Sequence, residues 1–385
     1  MKALKKRQLT EEEIEIQKRR EEQHKLKMEA LIKKKEEYKE NLERKERQKL
    51  VAKETNEFFK HNNKKKWYTN TYILTYLICG LILLGAIVLL IYNENPIPLN
   101  QIPVIDDLKI KKHNENSKWK QGISSFWKGS SMSNAEKIFK INFSNSKNII
   151  KCLIDNNIQK IPKNFDTRTS FKNCKLKVKN QNRKCSGSYA IVIATTMSER
   201  LCINSNKNKL NYKNELNDLS AQELLSCDKN NKGCLGGYLN IALNYIKQNG
   251  LVSEKCFLFK GNSKQIKCGF QCKKGKREKI NNYCVVFGEN EIKKEIIKNG
   301  PLISLMKINY DFLNYKKGIY ITKKKEKEFK GMHAIKIIGW GENNDGKYWI
   351  IENSWGDDWG ENGYARIGIG QNFIFEKYAY AIYFK

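Results

Sequence analysis

The chain has 385 residues, enough for one large domain or two smaller ones, and a formal net charge of +32. Lysine, asparagine and isoleucine are over-used along its whole length, so the charge reads as a solvated surface rather than a partner signal. It holds no nucleic-acid motif, no zinc-type C-x-x-C pair and no phosphate-cradling glycine loop, which gives no reason to expect a nucleic-acid partner or a metal.

Residues 1–66 carry 22 Lys/Arg against 14 Asp/Glu. Runs such as Lys33-Lys34-Lys35-Glu36-Glu37 set opposite charges three and four apart, which supports a solvent-exposed helix. The apolar residues Ile14, Leu26, Leu31, Leu42 and Leu50 are too sparse for a sustained heptad seam. A lone, partly disordered cytosolic helix is the plainer expectation; a coiled coil with a cytosolic partner is the sharper one.

Residues 72–92 contain no charge. As a helix they span about 31 Å, the thickness of a bilayer core. The long stretch ahead of them and the lack of a small-residue cleavage site argue against a signal peptide. Lys64-Lys65-Lys66 lie on the N-terminal side, and Trp67, Tyr68 and Tyr92 suit the two interfaces. The expectation is a type II signal anchor, with residues 93–385 in a secretory or endolysosomal lumen or outside the cell. Ten of the eleven cysteines lie in that part, as an oxidising compartment allows.

Within 161–385 the chain first reads as helical. Ser220 to Glu223 forms an S-x-x-E capping box opening a helix through Leu224-Leu225. Ala190-Ile191-Val192-Ile193-Ala194 is apolar all round and predicts a buried helix or strand. The last third is β-like: 334–339, 347–351 and 364–368 are short, β-branched and aromatic, with an Asn-Asp-Gly turn between the first two.

Nine motifs then occur in one order: Ile161-Pro162 through Arg168; Val178-Lys179-Asn180-Gln181; Cys185-Ser186-Gly187-Ser188-Tyr189-Ala190; Leu219 through Cys227; Gly233-Cys234-Leu235-Gly236-Gly237; Asn299-Gly300-Pro301; Met332-His333-Ala334; Gly339-Trp340-Gly341; and Tyr348 through Gly356. Together they resemble the papain family of cysteine peptidases, most closely its cathepsin B branch. The resemblance implies an α+β, two-lobed fold, a helical lobe and a β-barrel-like lobe with a peptide-binding cleft between them. It implies no cofactor. Ser188 stands where the family's nucleophilic Cys is expected. His333 would be the base, Asn353 its orienter, Trp355 the shield of that pair, and Gln181 an oxyanion donor. Gly236 and Gly237 would bind an extended substrate backbone. The register is anchored by Tyr189-Ala190. From the other side one residue is inserted near Asn182-Arg183-Lys184, so Cys185 is the competing candidate for the nucleophile.

The resemblance also implies four disulfides, Cys174–Cys202, Cys185–Cys234, Cys227–Cys268 and Cys256–Cys272, with Cys284 left over as a buried thiol. The His-bearing loop that makes cathepsin B trim dipeptides is missing, since the 11 residues between Cys256 and Cys268 include no His. Residues 93–160 resemble a lumenal stalk followed by the family's propeptide, on Asn114, Trp119 and Gly122; Phe126 falls one residue late, and a stalk alone is the other reading. A serine stays protonated where a paired cysteine is a thiolate with a pKa of about 3–4 in the papain example of that chemistry. Three functions follow: a membrane-anchored pseudoprotease that keeps a peptide-binding cleft, a serine-type peptidase using Ser188, His333 and Asn353, or a membrane scaffold acting through 1–66.

Overall fold

The computed structural model describes residues 79–83, 98–142, 150–154, 158, 160–207, 217–261, 267–269, 275–322, 331–371 and 374–384. The charged segment 1–66 lies outside them, as does the apolar span 72–92 except for a helical stretch at 79–83. Among the described residues no helix is long and apolar enough to cross a membrane. Residues Pro96–Lys385 form one compact unit.

An upstream segment comes first. Helix α1 (Asp107–Asn116) is capped by the Asp106 carboxylate, which accepts from Lys109 N. Strand β1 (Lys120–Gln121), helix α2 (Met132–Glu136) and strand β2 (Ile141–Asn142) follow. Asn114 clasps Gln121 in both directions, donating to its carbonyl at 3.0 Å and accepting from its N–H at 2.7 Å. Trp119, Phe126, Trp127 and Phe139 are buried in one core with Phe312, Tyr315, Tyr320, Trp355 and Trp359 of the later chain.

Strand β3 (Phe165–Asp166) and helix α3 (Thr167–Ser170) then lead to helix α4 (Ser188–Lys207). The run that is apolar all round is helical, and α4 is buried on nearly every face. Helices α5 (Ala221–Cys227) and α6 (Leu239–Asn249), with strand β4 (Gly237–Tyr238) between them, complete the helical half. Half of the capping box forms as expected: Ser220 Oγ accepts from Glu223 N at 3.1 Å. The Glu223 carboxylate does not reach back to its own cap. It is fully buried and serves distant partners instead, Val252 N, the Tyr245 hydroxyl and Arg277.

The β half contains β5 (Asn282–Phe287), α7 (Glu289–Asn299), β6 (Leu302–Lys307), α8 (Tyr310–Leu313), β7 (Tyr315–Lys317), β8 (Ile319–Tyr320), β9 (Met332–Asn343), β10 (Gly346–Glu352), β11 (Tyr364–Gly368), α9 (Ile374–Lys377) and β12 (Tyr378–Tyr383). The main sheet runs β5-β12-β6-β9-β10-β11-β8, with β3 added beside β9. The three segments read as strands from their β-branched residues are β9, β10 and β11, and the Asn-Asp-Gly sequence turns the chain between the first two. The α+β, papain-like expectation is met.

Cys174–Cys202, Cys185–Cys234 and Cys227–Cys268 are bonded as expected. Cys256 is disulfide-bonded, and Cys272, its expected partner, lies outside the described residues. The expectation for Cys284 fails. It is not a free thiol but is bonded to Cys152 of the upstream segment. The backbone explains why: Cys152 N donates to Val285 O at 2.9 Å and Val285 N to Ile150 O at 2.8 Å, so the chain at 150–152 pairs along β5 and brings the two sulfurs together.

Candidate active site

Ser188 is the first residue of α4 and is fully buried. The loop before it turns at Asn182, whose φ of 71° lies in the left-handed region that Asn tolerates. Gln181 fixes the loop from inside: its N–H donates to Ser354 O at 2.8 Å, its Nε2 donates to Cys185 O at 2.8 Å, and its Oε1 accepts from Ser354 Oγ at 2.7 Å. The Cys185–Cys234 disulfide ties the loop to the stretch ending in Gly236 and Gly237. A Cβ at Gly187 would stand 2.9 Å from Cys185 Sγ, so the glycine packs closely against the disulfide.

The other side of the site is the start of β9 and the end of β10. His333 Nε2 lies 2.8 Å from Asn353 Oδ1, an oxygen that also accepts from Ser354 N at 2.7 Å. A shared acceptor requires the proton on Nε2, which leaves the lone pair on Nδ1. Among the described residues Nδ1 has no hydrogen-bond partner. Burial of the ring drives its pKa down to about 4, against the pull of the Asn353 bond. The imidazole is therefore neutral above that pH, the form that accepts a proton. Trp355 lies beside it, ring centroids 5.0 Å apart. Ser188 Oγ accepts from Ala334 N at 3.2 Å, which sets Ser188 against β9 one residue beyond His333. Ser188, His333, Asn353, Trp355 and Gln181 are thus linked through Ala334 and Ser354.

Two of these side chains also carry bonds within the fold. One amide proton of Gln181 is committed to Cys185 O, which leaves the other for an oxyanion. Ser188 shows a bond to the β9 backbone rather than to His333. Behind the site, Lys336 Nζ lies 2.9 Å from carboxylate oxygens of both Glu199 and Glu352, all three side chains buried. Burial pushes the Glu199 carboxyl up, opposed by Lys336 and reinforced by Glu352. The cluster binds α4, β9 and β10 to one another, and the β9–β10 register places Lys336 opposite Glu352.

The cleft is filled by the upstream segment. Strand β2 runs parallel to β4, with Ile141 opposite Gly237. Gly236, at φ 108°, comes so close that a Cβ there would be 2.0 Å from Lys140 O. On the other side Met332 N donates to Phe139 O at 3.1 Å, and the Phe139 ring stands edge-on to His333 at 6.0 Å. The two glycines therefore lie against extended backbone. Ser186 holds the same segment: its Oγ donates to Ile138 O at 2.9 Å and accepts from Lys140 N at 3.1 Å. Arg183, in the inserted turn, donates to Lys128 O. Phe126 and Trp127 pack on Trp355, ring centroids 5.8 and 5.1 Å away. Sequence reasoning missed these partners because each meets its counterpart from across the fold; only the late Phe126 was visible as an oddity.

Known proteins agree with this geometry. A family profile described as papain family cysteine protease matches residues 161–382. Cathepsin B-like cysteine proteinase 2 of Haemonchus contortus is 32% identical over 246 residues, 55% of this chain and 70% of that protein. The tubulointerstitial nephritis antigen of Homo sapiens is 37% identical over 224 residues, 49% of this chain and 46% of its own length. Among solved structures, proCathepsin B S9 from Trypanosoma congolense superposes with a TM-score of 0.64 at 23% identity, covering 73% of this chain and 98% of that one, a likeness of fold. By the family profile over residues 161–382, more than half of its length, the chain belongs to the papain family of cysteine proteases, and it has cathepsin B-like relatives.

Proposed function

We propose that this chain is a cathepsin B-like homologue whose proteolytic activity is lost or strongly reduced, because Ser188 occupies the position of the nucleophilic cysteine. The observation that carries this reading is the start of α4: Ser188 sits there with its Oγ held by Ala334 N–H, while His333 keeps a neutral ring with a free Nδ1. A thiol in that place would be ionised by an imidazolium; a hydroxyl stays protonated and needs the ring as a general base at the moment of attack. Some relatives are named as antigens rather than proteinases, which is in keeping with a fold kept without its chemistry. The disulfides support a lumenal or extracellular location.

The test is peptide turnover by residues 161–385, with His333→Ala as control. We expect none above the control. Turnover that vanishes in the His333→Ala protein would establish the second reading, a serine-type peptidase, which the intact His333–Asn353 pair favours. In the same protein Ser188→Cys should gain labelling by thiol-directed active-site probes; no gain would mean that the cleft has decayed beyond one residue. The anchor at 72–92 and a cytosolic face for 1–66 belong to the same proposal. Protease protection of the C-terminal part in microsomes, with digestion of 1–66, is the expected result; digestion of the C-terminal part would refute it.

A further inference from the structure

We infer that the upstream segment is a permanent part of the folded molecule, fastened by the Cys152–Cys284 disulfide, so that a chain cut ahead of Ile161 remains a two-chain protein with its cleft filled. The inference does not depend on whether Ser188 supports turnover.

Three independent observations lead to it. The first is covalent: Cys152 precedes Ile161 and Cys284 lies in β5, so hydrolysis of any bond between them leaves both pieces joined. Both cysteines are buried, at 5% and 8% exposure, which keeps soluble thiols from the bond. The second is the sheet. β5 is the edge strand of the β half, and residues 150–152 pair along it through Cys152 N to Val285 O and Val285 N to Ile150 O. Removing the segment would uncover a strand edge, a surface that folded proteins protect. The third is the cleft. Ser186 and Arg183, both in the loop before α4 and the second within the stretch where one residue is inserted, spend their hydrogen bonds on Ile138, Lys140 and Lys128 of this segment. These residues add grip on the segment from that loop.

A tether converts rebinding into an intramolecular event at an effective concentration on the order of millimolar. Against a free segment diluted to nanomolar this is about a 10⁶-fold advantage. Even modest intrinsic affinity then keeps the cleft occupied.

The experiment inserts a recognition site for a specific protease between Lys160 and Ile161 of the full chain. After cutting, the two pieces should run as one band without reductant and as two with it. They should also co-elute in gel filtration at nanomolar concentration. Separation without reductant overturns the inference. In a second chain carrying Cys152→Ser and Cys284→Ser, cutting followed by the same dilution should release most of the segment; equal retention would show that the disulfide is not what holds it. Should that variant fail to fold, mass spectrometry of the unreduced parent decides: a cross-linked peptide joining Cys152 to Cys284 supports the tether, and free thiols at both positions overturn it.

Discussion

The loop 181–188 and the strand pair β9–β10 flank one cleft, and they are held by different forces. β9 and β10 are fixed by ladder hydrogen bonds, with Lys336 registered against Glu352 and a buried ionic cluster behind them. The loop has no ladder. It depends on Gln181, one disulfide, and bonds to a segment that arrives from another part of the chain. The strand pair can keep its shape whatever fills the cleft, whereas the loop's geometry is shared with its occupant. The unit that carries His333 and Asn353 is thus held by its own ladder, and the loop before Ser188 is the one that leans on the upstream segment.

The largest effect that would break this contrast lies in the ionic cluster. Lys336→Met strands two buried carboxylates without a cation, and removing one partner of a buried pair typically costs about 3–5 kcal/mol. Thermal denaturation should show that loss with the upstream segment in place and, in the chain with both Cys152 and Cys284 replaced by serine, after the segment has been cut and released. A loss appearing only in the cut form would mean that the strand pair is not self-supporting.

Next comes the acid response of His333. Its folded pKa of about 4 lies below the ordinary 6.5, so between these values the unfolded chain binds more protons. The contribution of the neutral ring is present above pH 6.5 and is lost as pH falls through that window. Unfolding free energies of parent and His333→Gln, measured from pH 4 to 7, should diverge by about 3 kcal/mol in the parent's favour as pH rises. A flat difference would show a solvated imidazole and hence an open cleft.

The smallest effect belongs to the loop. Ser186→Gly removes two hydrogen bonds to Ile138 and Lys140, at about 1 kcal/mol each. Release of the upstream segment, measured in the chain with both Cys152 and Cys284 replaced by serine, should rise about 5–30-fold, with thermal stability of the domain nearly unchanged. An unchanged release would put the grip in Phe126, Trp127 and Phe139 instead.

How much of this was legible in the sequence varied with the range of the interaction. Helix α4 and strands β9 to β11 could be read because their signals are local: unbroken apolar character, β-branched runs and one turn sequence. Ser220 was legible as a cap for the same reason, since its partner is three residues away. Glu223 was half misread because its carboxylate works across the fold, at Val252 and Arg277. His333, Asn353 and Ser188 were legible through family motifs, and their mutual placement follows from β9 lying beside α4. Cys152 was the only cysteine between 93 and 160 and Cys284 the one left over after pairing by resemblance, so their bond was open to counting. It went unread because the motifs carry no partner for either residue. The apolar stretch 72–92, apart from 79–83, and the charged N-terminus fall outside the described residues.

The Cys152–Cys284 bond also alters the connectivity of the molecule. It closes a ring with a sequence separation of 132, and the bonds Cys174–Cys202, Cys185–Cys234 and Cys227–Cys268 all lie nested within it. The whole helical half is inside that ring, and its clasp is a strand of the other half. A cross-link over so long a loop restricts the unfolded chain by about 5 kcal/mol in the loop-entropy account. Cys152 is the first cysteine of the ring and Cys284 the last, so their bond can form only after every cysteine between them has been made. The outermost ring therefore closes only once the chain has laid down β5.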